Sequence, residues 1–234
     1  NIARGYRAPN ITEIGSNGLD PGAHIVYLGN RTFKPEFNLQ QDLGMIAYLK
    51  DADISLELFN NHIQNYIYQS RLTDASGNPV VIVPGNLTYQ YQQSKARLYG
   101  AEISINLHPN ALKWLSFNNS LAYTVGLNQN RELLDQYGDE VRYLPFIPPL
   151  QVRTEIKATA QKPIGIFDKP YIKIDAALFA DQDKFYALDN TESFTAGYTL
   201  INGGIGSTLI TKKGKTICDI FLQADNIFNV AYQS

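Results

Sequence analysis

Three histidines, one cysteine and a scatter of carboxylates are the side chains with which this 234-residue chain could do chemistry. His24, His62 and His108 lie far apart, and none has a partner four residues away, so they do not form the paired imidazoles of a helical zinc site. Cys218 stands alone, which excludes an internal disulfide framework and any Cys-based zinc centre. Gly203-Gly204-Ile205-Gly206 is glycine-rich but is not followed by the Lys-Ser/Thr of a phosphate loop; in a strand such glycines permit a bend or a bulge. Asp181-Gln182-Asp183 opens like a calcium loop, yet the remaining ligands and their spacing are missing, and a solvated strand end fits it better. No nucleophile is paired with a base. The chemistry to expect is binding, with no catalytic residues, no cofactor and no resident metal.

The elements that would position a binding site are strands. In Trp114 to Val125, Leu115, Phe117, Leu121, Tyr123 and Val125 share one face, interrupted by Asn119, and Ser116, Asn118, Ser120, Ala122 and Thr124 share the other. Gln151 to Ala160, Asp53 to Phe59 and Ala101 to Leu107 alternate in the same way. Asn38 to Lys50, Tyr171 to Lys184, Gly197 to Thr211 and Thr216 to Asp225 complete a set of eight. This period of two marks strands with one dry and one wet face, and the three-and-four spacing of an amphipathic helix is absent from these stretches.

The connections carry a second, slower alternation. Lys50 to Asp53, His108 to Lys113, Gln161 to Pro170 and Lys212 to Lys215 are tight, with Pro, Gly and Asn supplying turn geometry. Between them lie long polar stretches: Arg7 to Glu36, Ser70 to Pro84, Asn128 to Pro148 and Phe185 to Ala196. An antiparallel up-and-down meander with short turns at one end and long loops at the other is the pattern of an outer-membrane β-barrel, periplasmic at the short-turn end. The small and apolar face would meet lipid. The face bearing Glu57, Glu102, Arg153, Glu155, Lys157, Lys173, Asp175, Asp219 and Asp225 would line a wet lumen. Tyr66, Tyr68, Tyr123 and Tyr143 collect near strand ends, where an interfacial girdle would lie. The competing architecture is a soluble antiparallel sandwich that buries its apolar faces as a core.

Bulk composition agrees with this and narrows the partners. Aromatics make up 12% of the chain, led by 15 Tyr, while only 18% is charged. The formal net charge of −2 and the pI near 5.9 give no basic footprint for nucleic acid. No apolar run approaches the length of a membrane helix, and no signal peptide opens the sequence. The chain starts in what looks like the end of a strand and stops shortly after another, and it reads as a piece of a larger protein.

Several short motifs resemble a known family. Arg4-Gly5-Tyr6-Arg7-Ala8-Pro9-Asn10-Ile11-Thr12-Glu13 is similar to a signature of TonB-dependent outer-membrane receptors, in which a strand rises into a long extracellular loop. Leu28-Gly29-Asn30 with Phe33-Lys34-Pro35-Glu36 resembles the element that closes that loop. Arg97-Leu98-Tyr99-Gly100-Ala101-Glu102 resembles the family's "G-x-E" strand, and Leu144-Pro145-Phe146-Ile147-Pro148-Pro149 its Pro-rich lead into the next strand. Asp225-Asn226-Ile227-Phe228-Asn229 with Tyr232 looks like the "NLFN…Y" element before the last strand. Each is short; five in order across nearly the whole chain form a specific match. Gly197 to Asn202 suggests the subgroup common in Bacteroidetes-like bacteria.

The resemblance implies that residues 1–234 are the C-terminal portion of a 22-stranded transmembrane barrel in the bacterial outer membrane. The plug domain, the first half of the barrel and the last strand would lie outside the chain. Such receptors import scarce nutrients, most often ferric siderophores, with energy delivered by the TonB complex through the plug. The partners expected are therefore outer-membrane lipid, TonB by way of the plug, and a ferric chelate. The ligand site would be built from extracellular loops and the upper lumen wall, where aromatic walls and directed polar groups suit a compact chelate and arginine suits an anion. Candidates are Arg4, Tyr6, Arg7, Tyr66, Tyr68, Tyr89, Tyr91, Arg131, Arg142 and Tyr143, with Arg7 and Glu13 also placed to hold the loop against the plug. A passive porin or adhesin barrel and a soluble glycan-binding sandwich are the alternatives.

Overall fold

The computed structural model describes residues 1–188 and 192–232. Among them, eleven strands and two short helices follow one another: β1 (Ile2–Arg7), α1 (Ile11–Gly15), β2 (Asn17–Asp20), β3 (Ile25–Leu28), β4 (Glu36–Tyr48), β5 (Ala52–Arg71), β6 (Leu87–Leu107), β7 (Leu115–Asn128), α2 (Arg131–Tyr137), β8 (Gln151–Thr159), β9 (Phe167–Phe179), β10 (Tyr198–Ile210) and β11 (Thr216–Ala224). Nine of the strands form one antiparallel meander in the order β1-β4-β5-β6-β7-β8-β9-β10-β11. No helix among the described residues is long and apolar enough to cross a membrane, a statement that leaves strands untouched.

The pairing register turns the two-residue period into two continuous surfaces. Met45, Leu56, Ile103, Leu121, Val152 and Leu178 are paired in sequence across β4 to β9. Directly paired residues of an antiparallel sheet point to the same side, so these side chains make an unbroken apolar row. One pleat away, Asp53, Asn106, Asn118, Glu155, Asp175 and Asn202 pair across β5 to β10. The apolar face is not covered: Leu43 is 67% exposed, Ile172 61% and Leu222 69%. A sandwich would bury this face against a second sheet, so that alternative does not fit. Asn119 interrupts the apolar face without an orphaned amide, since its Oδ1 accepts from Thr154 Oγ1 at 2.7 Å and its Nδ2 donates to the Ile105 carbonyl at 3.4 Å.

The polar face is knit by side chains. Asn118 donates to Glu155 at 2.9 Å, Lys173 Nζ lies 3.1 Å from Glu155 and 3.7 Å from Asp175, and Asn202 donates to Asp175 at 2.7 Å. Asn202 Oδ1 then accepts the backbone N–H of Asn226 at 2.8 Å, tying the Asp225–Asn229 motif to this wall. Gly100 shows why that strand motif needs a glycine: a Cβ there would stand 2.6 Å from the Phe59 ring and closer still to the Tyr123 carbonyl.

The long connections are structured. The first carries α1 and the β2–β3 hairpin, and β3 pairs in parallel with the upper end of β6, Ile25 opposite Leu87. β5 continues well past Phe59, to Arg71, and holds a bulge between Ile63 and Tyr66 where Asn65 has φ +58°. One extra residue inverts the pleat. Tyr66 and Tyr68 consequently pair with Ser94 and Gln92, on the polar side, and do not join an aromatic girdle on the apolar side. Tyr123 does lie on the apolar face, paired with Ala101. The glycines of β10 accompany a register shift between Gly206 and Thr208, as a bend or bulge requires.

Candidate functional site

At the long-loop end the first site is a clamp. Arg7 ends β1 opposite Glu36, the first residue of β4. Its Nε donates to Glu36 Oε2 at 2.7 Å, and its Nη1 donates to both oxygens of Glu13 at 2.9 Å. Glu36 Oε1 also accepts the Ile67 N–H at 2.6 Å. Glu13 lies in α1 because Asn10-x-x-Glu13 is a capping box: Asn10 Oδ1 accepts the Glu13 N–H at 2.9 Å, and Glu13 Oε2 accepts the Asn10 N–H at 2.7 Å. The hydrogen bond that Arg7 donates to Glu36 holds its guanidinium above the ordinary range, against the opposing effect of burial. Gly29 and Asn30 stitch the returning chain to the same helix, donating to the carbonyls of Ser16 at 2.6 Å and Glu13 at 2.9 Å. Arg7 and Glu13 thus hold their own loop to the wall.

The second feature is an aromatic cluster. Tyr68, Val141 and Tyr186 are buried together, with Tyr66, Leu133, Leu134, Tyr137 and Leu188 packed around them. Tyr66 stacks on Tyr68 at 6.1 Å, and Tyr68 meets Tyr186 edge-on at 6.2 Å. Burial, and then the Glu36 carboxylate, push the Tyr66 hydroxyl above its usual range. This cluster fastens the α2 loop and the segment holding Tyr186 and Leu188 to β5. Its rings are spent on packing more than on an open ligand wall.

The third feature is a polar cleft of about 720 Å³ between the β5 bulge, β6 and the start of α2, lined by Asn65, Gln93, Lys95, Asn130, Arg131 and Glu132 among others. Here two cations, Lys95 and Arg131, stand among amides that donate and accept, a set able to receive an anionic ligand. Gln93 anchors one side, donating to the carbonyls of Lys34 at 2.5 Å and Asn65 at 3.2 Å.

The sequence candidates therefore separate. Arg7, Tyr66 and Tyr68 come together at the β1–β5 wall, and Arg131 lines the cleft. Arg142 is held by Asp139 at 3.1 Å and lies 6.0 Å from the Tyr143 ring, and Tyr143 bridges to Leu127. Tyr89 is buried beside Tyr27 of β3, and Tyr91 is half-buried opposite Gln69. Arg4 and Tyr6 do not join any of these. Their partners Leu39 and Phe37 belong to the apolar face, and Arg4 lies 5.6 Å from the Phe37 ring, so the pleat turns both away from a lumen-side ligand. No local sequence signal marks Lys95, Gln93 and Asn65, because only the bulge and the α2 cap bring them together.

Three of the residues set aside as metal ligands are otherwise engaged. His108 Nε2 lies 3.4 Å from Asp53, Asp181 accepts the Gly197 N–H at 2.7 Å, and Asp183 pairs with Lys184 at 2.9 Å. The Lys184 ammonium holds the Asp183 carboxyl below its usual range. No group of three His, Cys, Asp or Glu side chains among the described residues could hold a metal ion.

Comparison with known proteins gives the same architecture. Residues 1–227 match the family described as TonB dependent receptor-like, β-barrel. No curated protein sequence matches significantly. Among solved structures, the copper transporter OprC superposes with a TM-score of 0.73 at 18% identity, over 99% of this chain and 31% of its own. A mutant ferric enterobactin receptor (PfeA) of Pseudomonas aeruginosa gives 0.64 at 20% identity, over 97% and 32%. The siderophore receptor PirA of Acinetobacter baumannii gives 0.62 at 16%, over 97% and 34%. At these identities the likeness concerns the fold, and the chain spans about a third of each structure's length. The two-faced meander, the motif-built clamp and the match over nearly all its residues place the chain in the TonB-dependent receptor β-barrel family, whose members are outer-membrane transporters and not enzymes.

Proposed function

We propose that this chain is the C-terminal part of the wall of an outer-membrane receptor that imports a scarce nutrient, with a ferric siderophore as its ligand. The observation that carries the reading is the uncovered apolar face opposite a hydrogen-bonded polar wall, which suits lipid on one side and a wet, plugged lumen on the other. Residues 1–234 would supply nine strands of a 22-stranded barrel, and the free edges of β1 and β11 would pair with the rest of it. The ligand would meet the long-loop end at the rim, where Arg131 lines the cleft at the start of α2. The named ligands of two of the structural neighbours, a siderophore and ferric enterobactin, support an iron chelate. The TonB complex would act through the plug.

The test is ferric-chelate binding by the whole receptor and uptake by iron-limited cells with and without TonB. Saturable binding and TonB-dependent uptake are expected. Uptake that proceeds without TonB, or a gene encoding no plug, would favour a passive porin or adhesin and overturn the proposal.

A further inference from the structure

Arg97 begins one of the family-like motifs, yet neither the clamp nor the ligand cleft uses it. In register, Arg4, Leu39, His62 and Arg97 lie side by side on β1, β4, β5 and β6, on the apolar face. Below them, past the polar pair Gln41 and Asn60 and the Tyr99 ring, that face is apolar on these strands: Ile54, Leu56 and Leu58 on β5, and Ala101, Ile103, Ile105 and Leu107 on β6. His62 stands ten residues above Ala52, and Arg97 ten above Leu107, the pair that closes the short-turn end. At about 3.3 Å per residue and a strand tilt of about 40°, ten residues rise about 25 Å, the height of a barrel's apolar band. The row therefore marks the upper edge of that band.

The side chains there are arranged to present cations. Arg97 Nε donates to Asn60 Oδ1 at 2.8 Å, Asn60 Nδ2 donates to Gln41 Oε1 at 2.9 Å, and the guanidinium lies 5.1 Å from the Tyr99 ring. Arg4 rests over Phe37 in the same way. Among the described residues no carboxylate pairs with Arg4, His62 or Arg97, whereas Arg7, on the other face, has two. Two unpaired guanidiniums lie about three strand spacings apart, roughly 14 Å. They sit at the end of an apolar wall, oriented by aromatic rings and an amide chain.

We infer that this row is a docking site for a phosphorylated lipid headgroup of the outer leaflet. The acyl chains would lie on the Leu56–Ile103–Leu121 wall, and the phosphates would bridge Arg4 and Arg97. The inference rests on the membrane reading above but concerns the outside of the wall, below the rim cleft. Arginine forks match phosphate oxygens bidentately, and a basic residue at an anionic membrane surface contributes about a fivefold change in binding.

The test uses the whole receptor in detergent, titrated with a bis-phosphorylated outer-leaflet glycolipid, with the same lipid after dephosphorylation, and with inorganic phosphate as competitor. Bound lipid is read by native mass spectrometry. Tight binding of the phosphorylated lipid is expected, with a loss of about fivefold on dephosphorylation or in Arg97→Gln, and more in Arg4→Gln/Arg97→Gln. Inorganic phosphate should not compete at equal concentration. Equal binding of the two lipids overturns the inference even if the variants fail to fold, as does unchanged binding by a folded Arg97→Gln. Competition by free phosphate would assign the row to an ion and not to lipid. Failure of the receptor to fractionate with outer membranes would instead overturn the membrane reading itself.

Discussion

A charge placed on β7 discriminates the two faces most sharply. Leu121 lies six residues above Leu115, the start of β7, a rise of about 15 Å at the same strand tilt and therefore near the middle of the apolar band. Its direct neighbours are Ile103 and Val152, so Leu121→Arg would find no carboxylate across either strand. A midplane arginine on the lipid face costs about 2–4 kcal/mol, which lowers the folding equilibrium constant by about thirtyfold or more. A control on the opposite face must avoid a clash of its own. Ser120 faces Arg153 directly, so an arginine there would meet a like charge. Ser104 lies between Ser55 and Ser120 and is the cleaner choice, with Ser104→Arg expected to cost less than about 0.5 kcal/mol. The assay is urea-dependent folding of the whole receptor into lipid vesicles, read by heat-modifiable gel mobility. Equal midpoints for the two variants would refute the two-face assignment, as would a larger loss for Ser104→Arg.

Other consequences are local. Arg7→Gln strands two largely buried carboxylates and should loosen the α1 loop by about 1–3 kcal/mol, discounted because the guanidinium is half-exposed. Faster amide exchange at Gly29, Asn30 and Ile67 would show it, with only partial rescue by Arg7→Lys. Gly29→Val would drive a Cβ to within 2.8 Å of the Ile14 carbonyl carbon and 2.9 Å of the Gly15 and Ser16 amides, and should free α1, seen as the same exchange pattern. The Asp74 carboxylate accepts the amides of Asn78 and Ser76 and titrates below its usual range, with the Asn78 bond the largest cause. Its folded value is depressed, so its contribution to the turn is present above the ordinary carboxylate pKa and is lost as pH falls through the lower folded value. Amide shifts of Ser76 and Asn78 should stay flat from pH 7 to about 4 and move only below it.

The sequence showed the sheet most clearly where lipid contact would demand alternation, and less clearly elsewhere. Asp53 to Phe59 stood out because every second residue is apolar. The same strand runs on to Arg71, but through Asn60, Asn61, His62 and Gln64 polar residues fall on both faces and the alternation is lost. The bulge at Asn65 left no pattern in the side chains, and it reversed the side on which Tyr66 and Tyr68 fall. The capping box at Asn10 and Glu13 was legible in principle, since an Asx residue three positions before Glu announces a helix start, but its five-residue helix is too short for periodicity. Tyr68 and Tyr186 are 118 positions apart, and the cleft at Lys95 and Arg131 joins segments from β6 and α2; such proximity comes from the register of long strands and not from any local signal.

If this wall belongs to an energised importer, iron-limited cells expressing the whole receptor should take up a radiolabelled ferric chelate. Uptake should be saturable and should disappear when TonB is deleted, with chelate binding at the surface retained. Uptake at the same rate without TonB, or no chelate binding at all, would contradict it.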